Sequence, residues 1–565
     1  GFKLTTSGTD MTGESGNHTS YPHGVQNLTW TSLGGGQYAA MKLVGGQTIN
    51  IDNVDITFKG TGYNHLNWLF HTDAHNDYGE STWVLNNGTK VNINGTGLIM
   101  YTSQYHGSRD NVGFVNQGTI TSNGSNNDIW HSIDDDGPGN AHRVMYFDNQ
   151  GTITLNGTRD TFAYLDHESV ADGGFTILNS KDLILAGTNQ VGVGFSRDYL
   201  GSEIIFTKPM TITGSNNTGV YVNHKIDLDG GQTRVVGTRN VVTQIPGTTR
   251  ESELNFDIAA GTNNSGIFFD FSDTFNINKS NFRVFSSTGD NAGLYVKQGT
   301  VNIKQTGNNH ISFVNPDTWN GGTNNIGYFV DGGELNLYDT IDVDAGKTGN
   351  TTKAGVTKAT TGGTGNTGIL SISGKANIES TGIVNVVSDD NAGVVASTST
   401  GEVHQKGTVN VNAKAVGVAA DNNGKVYLES GSNTNSSAIG ASAMYAQTGG
   451  TVYGLSGATT TSKDGGINAY ASGATTGGTI DFNGTSIVTD AKGLTFMADG
   501  QGKINFSGAT TGDIKSYGSV FYLEPTTIAT SPSGPFRSYN MTEFTNLISN
   551  HFTNLNNLTL DMHKN

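Results

Sequence analysis

One short motif constrains what this chain can fold into more than any other feature. Asn-x-Gly followed by apolar residues recurs as Asn291-Ala292-Gly293-Leu294-Tyr295-Val296, Asn325-Ile326-Gly327-Tyr328-Phe329-Val330, Asn366-Thr367-Gly368-Ile369-Leu370 and Asn391-Ala392-Gly393-Val394-Val395. A second motif closes each unit: Gly118-Thr119-Ile120-Thr121-Ser122-Asn123-Gly124 returns as Gly151-Thr152-Ile153-Thr154-Leu155-Asn156-Gly157, 33 residues later. A period of this size means one supersecondary unit stacked many times. Stacked repeats contact only their neighbours, so 565 residues read as one long solenoid and not as several globular domains.

The period changes along the chain. Glycines that close the strand runs fall at Gly60, Gly95, Gly124, Gly157, Gly187, Gly214, Gly237 and Gly261, in steps of 35, 29, 33, 30, 27, 23 and 24. Later equivalents at Gly368, Gly393, Gly417, Ala443, Asn468, Gly493 and Gly518 are spaced by 25, 24, 26, 25, 25 and 25. Runs such as Val301-Asn302-Ile303-Lys304 and Thr408-Val409-Asn410-Val411 alternate apolar and polar residues, the pattern of a strand with one face inward. Gly-Gly, Asp-Gly and Asn-Gly pairs supply the turns. The expected fold is all-β, a right-handed parallel β-helix with loop insertions in its N-terminal half. Asparagines at equivalent turns are expected to stack in ladders. Roughly twenty coils at ~4.8 Å would make a rod on the order of 90–100 Å. A β-propeller, whose blades need ~40–45 residues, does not suit the spacing.

Composition narrows the function. Eighty glycines with no collagen period could mean disorder, but here they punctuate Val, Ile, Leu, Phe and Tyr runs at regular intervals. A net charge of −17 disfavours nucleic acid, whose phosphates demand Lys and Arg. With no cysteine there can be no disulfide, Cys-based zinc site or thiol nucleophile. No run approaches the ~18 apolar residues of a membrane helix, and Gly1-Phe2-Lys3-Leu4 lacks the apolar stretch of a signal peptide. The chain is expected to be a mature fragment, not itself membrane-spanning, and monomeric.

Four regions are expected. Residues 1–45 form an N-terminal cap, 46–260 a β-helix with long insertions, 261–522 a regular stalk, and 523–565 a helical cap or insertion. In the last, Phe544, Leu547, Ile548 and Phe552 fall at helical spacing, and a cap would shield the open end of the solenoid.

Chemistry-bearing side chains crowd the second region. Seven of fourteen His lie between 65 and 167, and four of five Trp at or before 130. Inserts run from Tyr63 to Trp83, Tyr101 to Asn111, Ser125 to Arg143 and Thr158 to Asp172. Insertions in a solenoid map to loops on one face, often the binding face. The candidate ligand-binding residues are Trp68, His71, Tyr105, Arg109, Trp130, His131, Asp134, Tyr164 and Arg197. Flat rings beside fixed polar groups suit a sugar, and aromatics with Arg equally suit a protein interface. Alternatively, Trp68, Trp83 and Trp130 anchor loops onto the coil stack.

No cofactor is expected. His71-x-x-x-His75 with Asp77 offers metal ligand types, but without the helix such a spacing usually needs. Asp134-Asp135-Asp136-Gly137 opens like a calcium loop, yet Met145 stands where the closing Glu belongs. Asp389-Asp390 is a carboxylate pair of the kind β-helix hydrolases use. It sits, however, in Asp-Asp-Asn-Ala-Gly, a turn that recurs at Asp290-Asn291-Ala292-Gly293. Neither a nucleophile elbow nor a phosphate loop is present, and no enzyme is expected.

Residues 151–157, 263–268 and 390–396 resemble the coils of bacterial autotransporter passengers (type V secretion), most of all the very large adhesins of fusobacterial type. The likeness covers about residues 45 to 522. It implies a cell-surface, extracellular adhesin, anchored in the outer membrane through a translocator barrel that this chain lacks, and attaching to host cells or other bacteria through glycans (galactose or N-acetylgalactosamine type) or protein receptors. No binding residues carry over, because the family shares no binding motif that matches here. A polysaccharide-degrading enzyme and a purely structural stalk stand as alternatives.

Overall fold

The computed structural model describes residues 2–7, 31–34, 37–43, 48–61, 67–75, 81–106, 112–134, 143–166, 174–196, 199–200, 203–228, 252–490, 492–506, 514–516, 519–524 and 560–561. Among them there is no helix, and long parallel sheets stack coil upon coil. The protein is an all-β parallel β-helix. Helical spacing at 544–552 falls outside the described residues, as do most of residues 1–45. The chain divides into two compact units, residues 1–257 with 264–271, and residues 258–263 with 272–565.

In the first unit, strands Gln37–Leu43, Asn67–His75, Leu98–His106, Asp128–Asp134, Thr161–Asp166, Val191–Phe195 and Thr218–Val222 pair in parallel, each with the equivalent strand of the next coil. Ser81–Leu85, Val112–Asn116, Arg143–Leu155 and Gly174–Leu185 build a second wall. Aromatic rings fill the space between the walls. Phe114 lies 5.7 Å from Phe70, 4.9 Å from Tyr101 and 5.1 Å from Phe147, centroid to centroid. Such contacts add to the burial of large apolar area.

The closing glycines stack directly. A Cβ on Gly95, Gly124, Gly157, Gly187 or Gly214 would sit 1.7–2.3 Å from the carbonyl oxygen of the preceding glycine of the file. Only glycine allows that approach, so the file is visible in the sequence.

In the second unit the Asn-x-Gly motif gains a physical meaning. Its asparagines are buried and join successive coils. Asn325 donates its backbone N–H to Asn366 Oδ1 at 3.0 Å, and Asn366 donates to Asn391 Oδ1 at 2.9 Å. The residue before the asparagine adopts positive φ, as at Asp290 (59°), Asn324 (55°) and Asp390 (61°). Asn and Asp tolerate that left-handed region best among non-glycine residues. Two positions after Asn391, and after Ala415 at the equivalent place in the next coil, Gly393 and Gly417 face inward, and a Cβ there would reach 2.9 and 2.8 Å from Val386 and Val411. Ladder pairing skips this position: Ala392 pairs with Val416 and Val394 with Val418. The same register corrects two assignments. Ile467 and Ala469 pair with Leu494 and Phe496, so Thr495, not Gly493, is equivalent to Asn468; Leu494 and Phe496 pair with Ser519 and Phe521, so Val520, not Gly518, comes next.

Buried apolar side chains fall into two layers. Val394, Val418 and Val426 lie in the buried core. Phe329, Leu370, Val395, Ala419, Tyr445 and Tyr470, one per coil, belong to a second buried cluster. Outward-facing carboxamides form a further ladder, Asn302 to Asn276 at 2.9 Å, Asn336 to Asn302 at 2.9 Å and Asn377 to Asn336 at 2.7 Å.

Candidate functional site

Parallel pairing in the first unit aligns residues far apart in sequence. Lys42 pairs with His71, His71 with Thr102, Thr102 with His131 and His131 with Tyr164. His71, His131 and Tyr164 thus share one file of one sheet. His131 and Tyr164 are half-buried and meet edge to face with ring centroids 5.0 Å apart. His131 Nδ1 lies 3.7 Å from Asp128 Oδ2, with 16% and 11% of the two side chains exposed. The His131 imidazole and the Tyr164 phenol ring thus meet on one face of the sheet, with the buried Asp128 carboxylate beside the imidazole.

Three of the candidates lie in the interior. Trp130 is fully buried, its ring 5.7 Å from Phe147 and its Nε1 donating to Ser103 Oγ at 3.1 Å. Trp68 is 1% exposed and clusters with Ala39 and Ile99, its neighbours in the ladder. His71 is fully buried, 4.6 Å from the Trp68 ring, with Nδ1 2.7 Å from Thr102 Oγ1. Trp83, buried with Nε1 donating to Thr72 Oγ1 at 2.9 Å, behaves the same way.

Further along the same strands, Asp134 pairs with Tyr105. Strands Asn67–His75, Leu98–His106, Asp128–Asp134 and Thr161–Asp166 lie side by side in register. The ends of these strands, which precede segments 76–80, 107–111, 135–142 and 167–173, therefore lie side by side. Those segments, with Arg109 and Arg197, lie outside the described residues.

Asp160 is a buried carboxyl of this unit. It takes the ladder position held by Asn127 in the coil before and Gln190 in the coil after. Burial pushes its carboxyl up to about 6, against hydrogen bonds from the Asn127 backbone N–H, Ser122 and Gln190. Asp389 and Asp390 have turn roles. Asp389 Oδ1 accepts the Lys414 N–H at 2.9 Å, and the Asp390 N–H donates to Lys414 O at 2.8 Å. Burial raises the Asp390 carboxyl, with Lys414 opposing and Asp389 adding to the shift. Among the described residues, no three His, Cys, Asp or Glu are placed to hold a metal ion.

The second unit carries a feature that the sequence reading passes over. Residues 349–353 and 356–360 form an antiparallel hairpin inserted in a coil turn, closed by Ala354 (φ 49°) and Gly355 (φ 78°). Two positive-φ residues are what a tight two-residue hairpin needs. Beside it, Trp319 stands with Lys353 Nζ 5.1 Å and Lys358 Nζ 4.4 Å from its ring centroid, within cation–π range. Lys358 also donates to the Asp317 carbonyl. A signal was present: the ladder asparagines step by 34 residues from Asn291 to Asn325 and by 41 from Asn325 to Asn366, then by 25.

No family model, no curated protein and no solved structure matches this chain. Fold and surface define a class: a parallel β-helix carrying polar–aromatic residues on one sheet and insertions at coil turns. No helix among the described residues is long and apolar enough to cross a membrane.

Proposed function

We propose that this chain is a non-enzymatic adhesin of the autotransporter passenger kind, exposed on a bacterial surface and attaching it to host cells or other bacteria. The observation that supports this reading is the register of the first unit. It sets His131 against Tyr164, pairs Tyr105 with Asp134, and brings the ends of four consecutive strands side by side. A rigid scaffold that presents several loops together is how binding surfaces are commonly built. The ligand is a glycan of galactose or N-acetylgalactosamine type, or a protein receptor.

The test is attachment of the purified chain to epithelial cells with and without excess galactose or N-acetylgalactosamine. Inhibition marks a lectin. Attachment that the sugars leave intact marks a protein receptor. No attachment to cells or to other bacteria would overturn the proposal. In the His131→Ala/Tyr164→Ala variant, attachment should fall at least tenfold; unchanged attachment would remove this surface from the site.

A further inference from the structure

The file that holds His131 and Tyr164 continues into the next three coils. Tyr164 pairs with Gly194. Val193 pairs with Val220, so Gly194 comes level with Tyr221, and Tyr221 pairs with Phe268. Rings on consecutive rungs stand close together, with centroids 5.0 Å apart for His131 and Tyr164 and 5.4 Å apart for Tyr221 and Phe268. Gly194 leaves one rung without a side chain, between two half-buried tyrosines.

Glycine is not forced at that rung. Gly194 is not among the glycines at positive φ, the conformation that favours glycine. Among the described residues, a Cβ there would meet only Tyr164 Cδ2 at 3.6 Å and Val191 Cγ1 at 3.8 Å, both ordinary contacts. The closing glycines of the same unit differ: at Gly157 and Gly187 a Cβ would strike a backbone oxygen at 1.8 and 1.9 Å. What Gly194 contributes is therefore the empty rung itself.

We propose that this rung is a slot for one pyranose ring, held between Tyr164 and Tyr221. The proposal rests on the glycan form of the reading above and names its subsite. The two tyrosines are two rungs apart, ~10 Å at the spacing of paired strands. A ring in van der Waals contact at ~3.5–4.0 Å with a wall on each side needs ~7–8 Å, and the pucker of a pyranose takes up the rest. Aromatic walls with a few placed polar groups are the usual lining of a small-ligand site. Each wall is backed on its far side. His131 meets Tyr164 edge to face, and Phe268 lies behind Tyr221, whose hydroxyl stands 3.5 Å from Asp270 Oδ2. Two residues on from Tyr221, Asn223 carries an Oδ1 that accepts no hydrogen bond among the described residues, and a sugar hydroxyl would supply one.

The experiment is a calorimetric titration of the full chain with galactose and with N-acetylgalactosamine, repeated on Gly194→Leu and Tyr221→Ala. The parent should bind at least one of the two sugars one to one, with a dissociation constant on the order of 1 mM. Gly194→Leu fills the slot and should weaken binding at least tenfold, with a thermal midpoint within a few degrees of the parent's. Tyr221→Ala removes one wall and should also weaken binding at least tenfold. Sugar binding that survives in both variants would overturn the slot and leave the glycan reading standing. If Gly194→Leu does not fold, Tyr221→Ala decides alone, and binding retained there overturns the slot. A parent that attaches to cells but binds neither sugar would overturn the slot together with the glycan reading and leave a protein receptor.

Discussion

Asn391 Oδ1 accepts two hydrogen bonds from Asn366, one coil away: the backbone N–H at 2.9 Å and the side-chain Nδ2 at 3.0 Å. Asn391 Nδ2 donates in turn to Asp389 O at 2.7 Å and Gly363 O at 3.1 Å. One carboxamide thus satisfies buried groups of two turns at once. Asn391→Ala leaves those groups unpaired where water does not replace the bonds, at ~1–3 kcal/mol per buried group. Urea denaturation should show a lowered midpoint. An unchanged midpoint would mean the ladder is incidental to stability.

Asp160 gives the pH dependence a sign. Its carboxyl is raised from 3.8 to about 6 in the folded chain, so the folded state holds its proton more tightly than the unfolded one. The stability it contributes is fully present below pH 3.8 and is lost as pH rises through 6. Asp160→Asn puts a neutral carboxamide at a position that Asn127 fills one coil earlier. At pH 7.5 the variant should be more stable than the parent, by on the order of 1–3 kcal/mol. At pH 4 the gain should shrink. Thermal melts at the two pH values check this, and an equal gain at both would refute the assignment.

Glycines in this chain are not equivalent, and two of them separate the causes. A Cβ at Gly417 would meet Ala443 O at 2.6 Å and Val411 Cγ2 at 2.8 Å, whereas Gly307, at φ +72°, has nothing within 4 Å. Gly417→Ala therefore forces a shift in packed coils, costing ~1–3 kcal/mol. Gly307→Ala meets only the left-handed backbone cost of ~1–2 kcal/mol. Denaturation midpoints should fall for both. Only Gly417→Ala should perturb protection of the amides of 409–411, measured by hydrogen exchange.

The fold was legible because steric necessity writes it into residue type. A glycine that must touch the carbonyl of the coil before it, or a buried asparagine that must bridge turns, leaves a mark at every repeat. The surface was less legible because its residues have two uses. Trp68 and Trp130 read as binding rings, yet a large apolar ring with one N–H serves a coil interior as well, and Ser103 receives the Trp130 N–H. His131 and Tyr164 are 33 residues apart, and only the register makes them neighbours. The slot at Gly194 is walled by Tyr164 and Tyr221, which only the register brings into one file.

Burial separates the role of Trp130 from that of its neighbour His131. Trp130 packs on Phe147 and is closed to solvent, so Trp130→Ala opens a cavity and should cost ~3–5 kcal/mol. His131 and Tyr164 face the other way along the same strands and remain partly exposed. Replacing both with Ala removes an edge-to-face contact worth ~0.5–1.5 kcal/mol together with the His131–Asp128 contact. The two variants should part company in a paired measurement of thermal midpoint and cell attachment at 25 °C. Trp130→Ala should lower the midpoint and retain attachment while it stays folded. His131→Ala/Tyr164→Ala should hold the midpoint within a few degrees and lose attachment. If Trp130→Ala abolished attachment in a chain still folded by circular dichroism, the binding surface would have to reach the interior wall, and the division drawn here between packing and recognition would be wrong.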